Sequence, residues 1–374
     1  MAKLEIVPVE TGKDLKQFIM LPWKIYRNDP CWVPPLIMDM KKLLDRRKNP
    51  FFQHSEAEYF LARKDGEVVG RIAAILNNNH NAFHNERTGF FGFFECIENA
   101  EVAGALLSTA EAWVRERNQD RIRGPMNFST NDTCGLLIEG FDTPPFILMP
   151  HNPPYYQQLL ENAGYTKVQD MFAYRMYEEQ GINPRIHKIA QIAREREGVR
   201  VRKLNMKRFW EELETVKKIY NDAWSKNWGF VPLTEAEIEH LARELKPVID
   251  PDMVLFAEIE GEAVAFSLSL PDYNQALIKI NGRLFPFGIF KLLYYARKIN
   301  AVRVFTLGVM QKYQKSRGIG PLLYEETFLR GTRKGYTWGE FSWILESNKL
   351  MNSALKLLGA EIYKRYRIFE KPLL

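Results

Sequence analysis

The segment YFLARKDGEVVG at 59–70 returns as VLFAEIEGEAVA at 254–265, so that Ala62, Gly66, Glu67 and Val69 match Ala257, Gly261, Glu262 and Val264 at one offset of 195. Each copy reads as two apolar strands joined by an acidic-Gly turn, which is a hairpin signal. Upstream, KIY recurs at 24–26 and 218–220 on helical patterns, followed by an aromatic loop carrying Trp32-Val33-Pro34 or Trp228 and Val231-Pro232. Downstream, LLENAGYTK at 159–167 resembles LKLLGAEIY at 355–363, a helix end closed by Gly164 or Gly359. The order is the same in both halves, which restricts the chain to two copies of one supersecondary plan.

Two domains are therefore expected, residues 1–178 and 199–374. They are joined over 179–198 by a linker helix that Pro184 can start and Gly198 can stop. Each half reads strand, helix, aromatic loop, hairpin, strand, helix, strand, helix, strand, and so predicts an α/β fold built on a mixed sheet. An apolar content of 46% excludes disorder as the dominant state. No apolar run approaches the ~18 residues of a membrane span, and the first residues lack the apolar centre of a signal peptide. A cytoplasmic protein with no membrane partner is the expectation. Cys31, Cys96 and Cys134 are too few and too far apart for a disulfide framework or a zinc-ligand pair. A net charge of +6 is spread along the chain, which favours anionic ligands over duplex DNA.

The sharpest chemical signal is TLGVMQKYQKSRGIGPLLYEE at 306–326, an apolar strand ending in a basic Gly-containing turn that opens a helix. Gly318 and Gly320 let backbone N–H groups approach a ligand, the helix start adds orphan donors and positive dipole, and Lys312, Lys315 and Arg317 add charge. This is an anion cradle. His80 and His84 stand one helical turn apart, but without a third ligand no metal is expected.

Strand, Gln/Arg-x-x-Gly-x-Gly loop, helix, strand, then Asn and a helix ending in Gly resembles the GCN5-related N-acetyltransferase (GNAT) superfamily, here as two tandem GNAT-like acyl-CoA N-acyltransferase domains. The first is a degenerate copy, because the junction after GFFGFFECI at 89–97 lacks a Gly-x-Gly turn and carries Glu95, Glu98 and Glu101. The resemblance implies that Lys315, Ser316, Arg317, Gly318, Ile319 and Gly320 bind the pyrophosphate of acetyl-CoA or another acyl-CoA. It also implies that the strand end Leu307 to Val309 polarises the thioester carbonyl and that Asn348 touches the pantetheine. The family's usual general acid, a Tyr four residues before the helix-ending Gly, is Leu355 here. Tyr324, Tyr363 and Tyr366 are the substitutes to consider.

Attack of an amine on a thioester benefits from a base, since a Lys-like amine has a pKa near ~10.4. Glu340, alternating with Ser342 and Ile344 on the fifth strand of the half, and Glu346 at its end are the candidates. For the acceptor, the candidates are Trp228 and Phe230 in the loop after the first helix, and Asp272 and Asn274 after the hairpin. The long polar loop at 126–156 adds Asn127, Ser129, Asn131, Asp132, His151 and Asn152, which either line a pocket or bind the loop to itself. The expected activity is acyl transfer, acetyl by resemblance, to a small-molecule or peptide amine. The alternatives are a Fem-type transferase using aminoacyl-tRNA, which the intact cradle disfavours, and a non-catalytic GNAT-fold scaffold, which Leu355 favours.

Overall fold

The computed structural model describes residues 3–314 and 318–373. The first half runs β1 (Leu4–Pro8), α1 (Gly12–Ile25), α2 (Ile37–Leu43), β2 (Glu56–Lys64), β3 (Glu67–Leu76), α3 (Asn78–His84), β4 (Thr88–Cys96), α4 (Ala100–Glu116), β5 (Arg121–Gly124), β6 (Leu136–Glu139), α5 (Tyr156–Asn162) and β7 (Thr166–Tyr177). After α6 (Pro184–Glu195), the second half runs β8 (Arg200–Lys203), α7 (Phe209–Trp224), α8 (Glu235–Leu245), β9 (Val254–Ile259), β10 (Glu262–Pro271), α9 (Asn274–Leu277) and α10 (Gly288–Ala296). It closes with β11 (Ala301–Val309), α11 (Ile319–Arg333), β12 (Trp338–Leu345), α12 (Lys349–Leu358) and β13 (Glu361–Pro372).

Local chemistry sets these boundaries. Thr11 and Asp14 form a capping box at α1, and Thr234 and Glu237 repeat it at α8, each side chain accepting from the other's backbone N–H. Asn348 caps α12, which stops at Gly359 in the left-handed region (φ 89°). Both hairpins turn through positive-φ pairs, Asp65-Gly66 and Glu260-Gly261.

The strands of the two halves do not form separate sheets. One sheet runs β1-β2-β3-β4-β5-β13-β7-β12-β11-β10-β9-β8, with β6 also paired to β13. The order is a palindrome of the two halves with their last strands exchanged. β7 of the first half lies against β12, from Trp338↔Tyr177 to Leu345↔Met171, while β13 lies against β5, from Phe369↔Gly124 to Pro372↔Arg121. β7 and β13 then pair with each other from Glu361↔Arg175 to Glu370↔Thr166. Two self-contained domains were expected; the exchange replaces them, because an alternating strand pattern specifies which face is buried and not which neighbour it meets.

Helices cover the sheet. α4 and α5 pack over the first half through Val102, Leu106, Leu107, Trp113 and Leu160. α6 lies over the second half, its Ala190 and Ala193 against Ile319, Leu322 and Leu323 of α11, and its Ile186 against Tyr324 and Leu355. The segment read as a linker is thus a load of apolar surface on the second half.

Candidate active site

β11 and β12 are paired only from Ala301↔Trp338 to Val304↔Phe341, and then the parallel strands part while running on to Val309 and Leu345. A cleft opens between them. Val304 to Leu307 and Phe341 to Leu345 form its sides, Tyr324 of α11 and Asn348 and Met351 of α12 border it, and Trp224 and Asn227 approach from the end of α7. Phe305 is left out of the β10–β11 register, where Leu268 faces Thr306 and Ser269 faces Val304. This bulge bends β11 at the point where β12 leaves it.

The same ladder settles where the backbone points. Met310 donates its N–H to Val264 O (3.0 Å), so Met310, Gly308 and Thr306 face β10, and Leu307 and Val309 direct their peptide groups to the open side. Val309 O accepts from the Gln314 side chain at 3.0 Å. The Leu307 N–H is aimed into the parted strands, as an oxyanion donor must be. Gly308 is required by packing: a Cβ there would run into the Trp224 ring.

At α11 the N-cap is Gly318 (φ 61°), with no side-chain cap on the first-turn N–H groups. Gly318 is also hemmed in by α6, since a Cβ would come within 2.7 Å of Ile189 Cγ2. Gly320 has nothing within 4 Å of a built Cβ, so backbone is bare to space at the cradle. Ile319 points the other way and is buried against α6, leaving only its backbone for a ligand. Lys315, Ser316 and Arg317 lie outside the described residues.

The first half has the same β4–β5 start, Thr88↔Arg121 to Phe90↔Arg123, but its gap is filled. Met126 N–H donates to Phe91 O (2.8 Å), Phe93 N–H to Asn127 Oδ1 (2.8 Å) and Cys96 N–H to the Tyr156 hydroxyl (2.8 Å). A Cβ at Gly92 would meet Met126 O. The start of α4 is capped by Asn99, which accepts from Val102 N–H at 3.0 Å. Glu95 pairs with Arg71 and accepts from the Tyr26 and Tyr156 hydroxyls.

Of the predicted catalytic side chains, Tyr324 alone borders the cleft, its hydroxyl 2.6 Å from Met351 Sδ. Burial pushes its phenol up. Glu340 does not face the opening: it is fully buried, accepting from the Ser342 and Tyr363 hydroxyls. Burial pushes its carboxyl up, against the pull of Arg303. Arg303 donates to Ser342 Oγ (2.8 Å), Ser342 O (3.1 Å) and Ile147 O (2.7 Å). Tyr366 is buried in the sheet, and Glu346 is held by Lys167 at 2.8 Å and by Asp170 N–H at 3.0 Å. Strand exchange accounts for the two tyrosines, since β13 lies beyond β7 from β12 and carries Tyr363 and Tyr366 with it.

The predicted acceptor residues also lie off the cleft, and most join the halves or brace the long loop. Asn131 donates to Val231 O (3.0 Å) and accepts from the Tyr220 hydroxyl (2.7 Å). Ser129 donates to Asp132 (2.9 Å). Asn152 bridges the backbone of Leu137, and His151 meets Asp29 at 2.7 Å. Asp272 accepts from Ile147 N–H (3.0 Å), and Asn274 donates to Pro145 O (2.8 Å). Trp228 stacks under Arg123, and Phe230 is buried against Phe83 and Tyr220. His80 pairs with Glu86, and His84 with Phe230 O.

No family model matches the chain. It is 40% identical to a bacterial ceramide synthase of Caulobacter vibrioides, over 100% of this chain and 98% of that protein. It is also 40% identical to protein YghO of Escherichia coli, over 96% and 93%. A tandem GNAT protein from the clavulanic acid biosynthesis pathway shares its fold with a TM-score of 0.59 at 13% identity, covering 100% of this chain and 99% of that one. A GNAT from Sphaerobacter thermophilus follows at 0.54 and 14%, covering 99% and 96%. The chain belongs to the family of the Caulobacter and Escherichia relatives, and its fold is that of the GNAT proteins. In this GNAT fold Leu355, at the usual acid position, is buried beside Tyr324, Leu358 and Ala360. Trp224, Asn227, Ser342 and Met351, which the sequence reading did not nominate, border the cleft. Only Trp224 left a trace in the sequence, as a bulky aromatic whose packing partner is a strand glycine.

Proposed function

We propose that the protein is an acyl-CoA-dependent N-acyltransferase that takes its donor in the second half and joins a long fatty acyl chain to the amine of a long-chain amino alcohol. The observation that carries the reading is the parted β11–β12 pair. Its cleft shares Val304, Tyr324 and Phe341 with a second, mainly apolar pocket bordered by Met176, Val302, Phe328, Trp338 and Leu358. An acetyl group has no use for that apolar room, whereas a fatty acyl chain does. The name of the Caulobacter relative points the same way, because a ceramide is an N-acylated long-chain amino alcohol.

The donor supplies a carbonyl activated as a thioester. The bare backbone at Gly320 and the uncapped start of α11 hold its anionic end, and Asn348 borders the path of its arm. Leu307 N–H donates to the carbonyl oxygen as negative charge develops there. Ser342 accepts the proton of the attacking amine while its own passes to Glu340, whose buried carboxyl binds a proton more readily than an exposed one. The new C–N bond forms, the C–S bond breaks, and the Tyr324 hydroxyl protonates the departing sulfur.

Incubation with acetyl-CoA or palmitoyl-CoA and a long-chain amino alcohol, read by mass spectrometry, tests this. The palmitoyl amide is the expected product. A preference for acetyl-CoA of roughly tenfold in kcat/KM, about 1.4 kcal/mol, overturns the chain-length reading, and absence of any amide overturns the activity.

A further inference from the structure

Between Asp272 and Ala301 the chain leaves the sheet and returns to the same point, where Asp272 N–H donates to Ala301 O at 2.9 Å. The corresponding connection in the first half is the short α3. In the second half it carries α10, which contributes no buried residue. Phe285, Phe287, Phe290, Leu293 and Tyr294 are 80%, 70%, 67%, 58% and 56% exposed. Single exposed apolar residues are ordinary, but five within ten positions form a patch that water does not stabilise.

The charge around this patch has one sign. From Tyr273 to Tyr324 the sequence holds no Asp or Glu, while Lys279, Arg283, Lys291, Arg297 and Lys298 are all exposed around the aromatic residues. None of these five makes an ion pair among the described residues. No helix among those residues is long and apolar enough to cross a bilayer. A short aromatic helix flanked by cations has the make-up of an element that lies in the interface of an anionic membrane, rings among the headgroups and ammonium groups against the phosphates.

The patch is held in place. The Trp23 indole donates to Asn281 Oδ1 (2.8 Å), and Ile37 N–H donates to Gly282 O (3.0 Å). Gly282 has φ 72°, and a Cβ on it would press on Pro35 O and the Trp23 ring, so α1 and the loop before α2 grip the base of the excursion. A rigid mount of this kind costs little ordering entropy on docking.

We infer that the α10 excursion, residues 283–298, docks the protein on the surface of an anionic lipid bilayer. This replaces the expectation of no membrane partner, and it stands whatever the acyl donor is.

Flotation of the full chain with vesicles of phosphatidylglycerol and phosphatidylcholine, and with phosphatidylcholine alone, tests the inference. Binding to the anionic vesicles, weakened by salt, is expected. Phe287→Asp with Phe290→Asp should lower the bound fraction at least tenfold without moving the thermal midpoint. Lys291→Glu with Arg297→Glu should remove the preference for anionic vesicles and serves as a second variant should the first not fold. Failure of the wild-type chain to float with anionic vesicles overturns the inference, as does undiminished binding by both variants. So does a wild-type dimer in sedimentation velocity that Phe287→Asp dissolves while no vesicle binding is seen, since a second copy would then be the occupant.

Discussion

Ser342 lies among the residues that line the cleft and its hydroxyl donates to Glu340, so the proposed proton path runs through that hydroxyl. Ser342→Ala should therefore lower kcat by about 10²-fold while leaving the donor Kd unchanged in calorimetry. Tyr324→Phe should lower kcat at least roughly tenfold, or about 1.4 kcal/mol, whereas Tyr366→Phe should leave it unaltered. Asp272 gives a titration with a definite sign. Burial, with Glu340 nearby, pushes its carboxyl up to about 7 from 3.8. The native state thus holds a proton that the unfolded state releases between about pH 4 and 7, and stability falls as pH rises through that window. Asp272→Asn removes the titration: between pH 5 and 8 the stability of the variant relative to wild type should rise by roughly 2–4 kcal/mol in urea unfolding. Among single residues, the open backbone at Gly320 and the outward peptide of Leu307 were legible because a turn motif and a strand end specify them locally. The enclosure of Glu340 was not, because strand alternation gives the face a side chain takes and says nothing of a Tyr363 arriving on a strand that comes later in the chain.

Two elements with the same sequence plan reach different ends. β11 and β12 part and stay open, while the gap beside β4 is filled by Met126 and Asn127. Hairpins, caps and the helix after Gly318 were readable from local chemistry, since each depends on neighbours within a few residues. The plug was not, since it depends on a loop crossing back over its own sheet, and the polar residues of 126–132 read equally as pocket or as brace. Calorimetry should accordingly give one CoA per chain, with no second site near α4. On the open side, Trp224 rests on the bare backbone of Gly308, so the end of α7 sets the width of the cleft. Gly308→Val should displace the indole, lower the urea midpoint by an amount equivalent to about 1–3 kcal/mol, and raise the KM for the amine more than that for the donor.

For the whole molecule, the repeat at offset 195 announced two related halves and could not announce their exchange. β7 and β13 have the same alternating character, and either could serve either sheet. Calorimetric unfolding should show a single transition for the entire chain, because neither half has a complete sheet without the other's final strand. Residues 1–198 and 199–374 made separately should each lack a cooperative transition, and co-expression should restore one. The exchanged strands also bear on descent by duplication. A copy that had merely been tethered could be deleted once its cradle was lost. Here the half with the filled gap supplies β7, the strand against which β12 and one wall of the open cleft are laid, so every lineage that keeps the open half must inherit the filled one with it.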